Sequence, residues 1–102
     1  MKKISMHLHE IPFRAIERGE KKIEVRLFDE KRQAISVGDV IEFLLRPDNT
    51  KKIEKKIVAL HRFPTFADFY NVYPAELSIS DARDYYSSED EQRYGVLAVE
   101  LG

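Results

Sequence analysis

The stretch GEKKIEVRLFDEKR, residues 19–32, puts nine charged side chains into fourteen residues and still threads Ile23, Val25 and Leu27 through them at every second position. Successive side chains of a strand point to opposite sides, so this alternation is that of a strand with one face against a core. The other face then carries Lys22, Glu24 and Arg26, a row of plus, minus, plus. Such a row is either ordinary solvated surface or the floor of a site.

Working outward, Lys3–His9 alternates in the same way, with Ile4, Met6 and Leu8 against Lys3, Ser5, His7 and His9, and reads as another strand. Between the two, Pro12 opens a short helix over Phe13–Arg18, which Gly19 closes where a left-handed residue is needed. Downstream, DEKRQAISVGD is a connection ending in a Gly38-Asp39 turn, and VIEFLL is a largely buried strand. RPDNT is a turn, with Pro and Asn supplying its backbone angles, and Lys51–Phe63 is a long strand. Beyond Phe63 the character changes. Thr65 and Asp68 are spaced as a helix start, and Phe66, Phe69 and Tyr70 fall on one helical face. Ser78 and Asp81 repeat the start signal before ARDYY, and YGVLAVEL is apolar enough to pair inside a sheet. This order of strands and helices, with short turns, favours an α+β fold: a small barrel with helices to one side rather than a doubly wound sheet.

At 102 residues and 12.0 kDa the chain reads as one domain, residues 1–102, large enough for a single hydrophobic core. It has no cysteine, which excludes disulfides, thiolate nucleophiles and cysteine-ligated zinc. No segment reaches the roughly 20 apolar residues of a membrane span, and the N-terminus lacks the apolar run of a signal peptide. The reading is a soluble, cytoplasmic protein with no membrane partner.

The formal net charge of −1 hides an uneven distribution. Residues 1–62 hold 15 Lys and Arg against 10 Asp and Glu, or +5, while residues 63–102 hold 2 against 8, or −6. An asymmetry of this kind puts a basic face on a nearly neutral protein, as an approach to phosphates requires. The competing reading of KKIEKKI is a solvated edge strand whose lysines block aggregation. The five tyrosines, at 70, 73, 85, 86 and 94, are core residues or stacking surfaces for unpaired bases; of Tyr85 and Tyr86, one ring faces inward and the other a cleft. His7 and His9, with His61 or Glu10 as a third ligand, are too sparse a signature for a metal centre, and solvated or hydrogen-bonded histidines are the reading. No phosphate-binding loop, dinucleotide fingerprint, nucleophile elbow or H-E-x-x-H occurs, so no cofactor is implied.

PFRAIERGEKKIEVRL, DEKRQAISVGDVIEF, FADF and YYSSEDEQRYGVLAVEL together resemble the ASCH domain of the PUA-like superfamily, over nearly the whole chain. The most specific part is G-x-K-x-I-E-x-R at Gly19–Arg26, followed twelve residues later by Gly38-Asp39. The resemblance implies a PUA-like β-barrel of five or six strands with flanking helices and a cleft between barrel and helices. It also implies RNA or a modified nucleoside as partner. One bacterial branch of the family contains amidohydrolases that remove an acyl group from acetylated cytidine.

In that branch the lysine equivalent to Lys21 is assigned as catalytic, with a threonine three residues on and a glutamate near the second helix, the region of Glu76. Here Glu24 stands in place of the threonine, and a carboxylate cannot supply a hydroxyl nucleophile. Two readings therefore stand. In the first, the domain binds RNA or a modified nucleoside through a basic cleft, using Lys21, Lys22, Glu24, Arg26, Lys31, Arg32 and Tyr85. In the second, it is an amidohydrolase or another RNA-processing enzyme with Lys21, Glu24 and Glu76 as catalytic residues. Arg26 is the principal contact candidate, since a guanidinium presents paired donors to a phosphate or a base edge; its competing role is an ion pair with Glu24 or Asp29. Gly38-Asp39 is a turn without chemistry.

Overall fold

A computed structural model describes residues 1–102 and contains five strands: β1 (Lys3–Leu8), β2 (Ile23–Leu27), β3 (Val40–Leu45), β4 (Lys52–Phe63) and β5 (Val96–Leu101). They form one sheet in the order β1-β3-β4-β5-β2, a curled half-barrel in which β1 and β2 are the two edges. β1 and β3 run parallel, and every other pair is antiparallel. The twelve residues of β4 serve two partners. Lys52–Lys56 pair with β3, Ile57–Phe63 pair with β5, and a register shift between Ile57 and Ala59 bends the strand where it changes partner. A bulge of this kind raises the local twist and turns a flat sheet into a curled one.

The strand readings hold closely, and the helices carry the differences. α1 spans Glu10–Glu17, so Pro12 lies within the first turn rather than ahead of it. A first-turn proline loses nothing, because the N–H it lacks has no intrahelical partner there. Gly19, at φ 76°, ends the helix as expected. Its N–H donates to Ile16 O at 3.0 Å and the Glu20 N–H to Ala15 O at 2.9 Å, the paired bonds of a left-handed helix stop. The connection after β2 contains a helical turn, α2 (Glu30–Gln33), capped by the Asp29 carboxylate. α3 (Phe66–Val72) starts at Thr65, whose hydroxyl accepts the Asp68 N–H at 3.1 Å. α4 (Pro74–Leu77) follows, and then a single 3-10 turn, Ala82–Asp84. Asp81 caps that turn without help from Ser78, whose hydroxyl donates to Ala75 O. α5 (Ser88–Tyr94), capped by Ser87, then leads into β5.

β5 organises the core because it is apolar on both faces. Leu97, Val99 and Leu101 join Phe13, Ile16, Ile41, Phe43 and Ile57 in the barrel interior. Val96 and Ala98 face the other way, into a second cluster with Ile23, Val25, Leu27, Phe66 and Phe69. β2 is therefore covered on its outer face by α3 and its neighbours, while its inner face looks into the barrel. Before β3, Gly38 adopts φ 96°, and the Asp39 carboxylate accepts N–H bonds from Lys2 and Ser36, both at 2.9 Å. Those two bonds hold Asp39 below the usual carboxylate range and fasten the first residues to the start of β3.

Phe43 is fully buried in the barrel interior. Truncating Phe43→Ala should cost about 3–5 kcal/mol in urea unfolding, the usual penalty for a deleted core aromatic. Val37→Ala, at a residue 60% exposed, should stay within about 0.5 kcal/mol of the parent.

Candidate functional site

The sheet does not close, and the gap between its edge strands is where polar side chains converge. Here the end of β1, the middle of β2 and the segment from α4 to Tyr86 enclose a cleft of about 450 Å³. That volume is in the usual range for small-molecule and cofactor sites.

Lys21 reaches the cleft because the helix stop aims it. Its own N–H also donates to Ala15 O, at 3.1 Å, so the backbone leaving α1 is held for three consecutive residues. The side chain, 5% exposed, pairs through Nζ with Oε1 of Glu76, which α4 supplies from the opposite wall. Two ionic groups removed from water in this way stabilise the fold only while both are present.

Glu24 and Arg26 lie on the inner face of β2, opposite Val99 and Leu97 of β5. Neither is ordinary solvated surface: Glu24 is 6% exposed and Arg26 is partly covered. Glu24 Oε1 accepts the N–H of Val25 at 3.0 Å. Its Oε2 lies 3.6 Å from Arg26 Nη2 and has no hydrogen-bond donor. Arg26 Nη2 donates to His7 O at 3.1 Å, so this one side chain spans the seam from β2 to β1. Burial opposes the guanidinium's charge, but Glu24 and the Tyr86 hydroxyl outweigh it, and Arg26 is held above its ordinary value.

The tyrosines divide the work. Tyr70 packs in the outer core, where its hydroxyl donates to Ser80 O at 3.0 Å and accepts the Ala82 N–H at 2.8 Å. Burial raises its phenol above the ordinary range, and the two bonds hold the 80–82 wall in place. Tyr86 stacks on Phe66, with ring centres 5.6 Å apart, and lines the cleft. Tyr85, 60% exposed, stacks on His9 at 5.7 Å at the mouth.

Of the residues singled out from sequence, Lys21, Glu24, Arg26, Glu76 and Tyr85 line one cleft. Lys22, Lys31 and Arg32 do not. Lys22 is exposed just before β2, Lys31 is exposed on α2, and Arg32 is paired with Asp29 at 2.8 Å. The set also omitted Arg46 and His7, which line the cleft as well. His7 was legible as part of the polar face of β1. Arg46 had no local signal, since it arrives only because β3 runs parallel to β1 and its N–H meets Leu8 O. The lining thus carries Lys21, Arg26 and Arg46 against Glu24 and Glu76, a mixed rather than uniformly basic surface. His61 pairs with Glu100 instead, and no three metal-ligating side chains converge.

The ASCH domain profile matches residues 6–102, and the chain belongs to this family. Among solved structures it is similar to hypothetical protein PH0355, at 30% identity and TM-score 0.81 over 97% of this chain and 96% of that one. It is also similar to PF0455 from Pyrococcus furiosus, at 30% identity and TM-score 0.72 over 97% and 94%. The S128A mutant of ZmASCH from Zymomonas mobilis shares the fold at 18% identity and TM-score 0.75, covering 99% of this chain and 68% of that one. No curated protein sequence matches. Family membership supports a general role in RNA binding or processing. No helix is long and apolar enough to cross a membrane.

The Lys21–Glu76 pair can be tested by stability. Glu76→Leu leaves Lys21 buried without its counter-charge and should cost about 3–5 kcal/mol. The double variant Lys21→Met, Glu76→Leu should recover most of that loss in urea unfolding. Equal destabilisation of single and double variants would contradict a coupled pair.

Proposed function

We propose that the domain binds RNA or a modified nucleoside by holding one unstacked base in the cleft between β1 and β2. The observation that carries this reading is the joint presence, in one cavity, of a buried carboxylate oxygen without a donor, a guanidinium beside it and tyrosine rings at the wall and mouth. A planar base satisfies all three: its edge meets Glu24 and Arg26, and its face meets an aromatic ring. The phosphates on either side meet Arg46 and the cations of residues 1–62.

Titration with a labelled loop RNA and a duplex DNA at two salt concentrations tests the reading. The loop should bind more tightly, because duplex bases cannot be splayed into a cleft. The logarithm of affinity should fall with the logarithm of salt concentration by roughly 0.7 per phosphate neutralised on a single strand. Arg26→Ala should weaken binding more than Arg93→Ala, since Arg93 lies on α5 outside the cleft. Equal affinity for loop and duplex, or loss from Arg93→Ala alone, would overturn it.

A second reading is favoured by one specific contact, the meeting of Lys21 and Glu76 in the same cleft as position 24. In an amidohydrolase or other RNA-processing enzyme built on these groups, Lys21 polarises the acyl carbonyl and Glu24 acts by activating water, having no hydroxyl of its own. The binding reading expects acetylated cytidine to be hydrolysed slowly or not at all, with Glu24→Thr gaining turnover. Rapid deacetylation by the native protein, abolished by Lys21→Ala, would put the enzyme first.

A further inference from the structure

The protein's own hydrogen bonds leave one oxygen of Glu24 without a donor. Its Oε1 takes the Val25 N–H, Lys21 Nζ goes to Glu76, Arg26 Nη2 goes to His7 O and the Tyr70 hydroxyl goes to Ser80 O. Oε2 accepts no hydrogen bond from the protein and has only the Arg26 guanidinium at ion-pair distance, on a side chain 7% exposed that lines the cleft. A buried carboxylate oxygen in this state calls for an N–H from outside the protein. Arg26, only 3.6 Å away, still has N–H groups on Nε and Nη1 to give to an acceptor. A donor and an acceptor are thus wanted side by side.

From this we infer that Glu24 and Arg26 select the ligand by a free N–H on the Watson–Crick edge of its base, so that N-alkylated bases are rejected. The inference rests on the base-binding reading above and names the ligand class for that site. Uracil offers N3–H beside a carbonyl, and cytosine offers its exocyclic amine beside the ring N3. Either edge gives a hydrogen to Oε2 and takes one from Arg26. Methylation that takes the last hydrogen from that nitrogen, one methyl on uracil N3 or two on cytosine N4, sets carbon against a carboxylate oxygen and leaves it without a donor.

Titration of the native protein with uridine and 3-methyluridine, and with cytidine and N4,N4-dimethylcytidine, followed by NMR shifts of the tyrosine rings, tests this without any variant. Each methylated member should bind about tenfold more weakly, or worse, than its parent. Glu24→Gln extends the test. With the amide oxygen kept on the Val25 N–H, its NH2 group replaces Oε2 with a donor, and the two members of each pair should come within about twofold. Equal affinity for parent and methylated nucleoside, or a folded Glu24→Gln that keeps the native ratio, overturns the inference. Loop RNA that binds without such discrimination sinks this inference alone. Failure of nucleosides and loop RNA alike removes the base-binding reading as well.

Discussion

β5 has no polar face, and the rest of the molecule follows from having to cover it twice. Five of its six residues are buried, so one hydrophobic layer must close over Leu97, Val99 and Leu101 and another over Val96 and Ala98. The first requirement curls the sheet into a half-barrel; the second draws α3 and the segment after it across the outside. β2, bonded only to β5, is then covered on both sides. The charged face of an otherwise alternating strand is forced out of bulk water, and Glu24 with it. Paired charges and committed hydrogen bonds are the means by which such groups are tolerated inside.

The same constraint explains why the site sits at the seam. β1 and β2 end the sheet on opposite sides, and curling brings their free edges toward each other without pairing them. Unpaired strand edges leave backbone groups to be satisfied by other means. Arg26 does this for His7 O, and Glu24 for the Val25 N–H. Two of the side chains that line the cleft are therefore also ones that finish the sheet's hydrogen bonding, which ties the site to the integrity of the fold.

Much of this was legible in the sequence, for identifiable reasons. Alternation marked β1 and β2, and the continuous apolar run of YGVLAVEL marked a strand buried on both faces, because each pattern is a local record of burial. Gly19 and Thr65 marked helix ends through backbone chemistry alone. The short helices α2 and α5 were not read, since both are mostly polar and charged and contain no buried residue, so their sequences carry no apolar period. Within the site, Lys21, Glu24 and Arg26 could be grouped by proximity in the chain. Arg46 could not, because its place depends on a parallel pairing between distant segments. Lys31 and Arg32 looked like an extension of the basic set, yet a local cap at Asp29 holds Arg32 on α2, away from the cleft.

The pairing of β2 with β5 has a consequence for biosynthesis. β2 has no strand neighbour until residues 96–101 are available, although its own residues emerge near the beginning of translation. Contacts of such sequence separation form late and slowly compared with the turns of α1 or the β3–β4 hairpin. A nascent chain that already holds α1, β3 and β4 still presents Glu24 and Arg26 on an unpaired segment beside exposed Ile23, Val25 and Leu27. The cleft thus comes into being only with the last strand, and until then those three apolar residues are exposed surface for a chaperone or for aggregation.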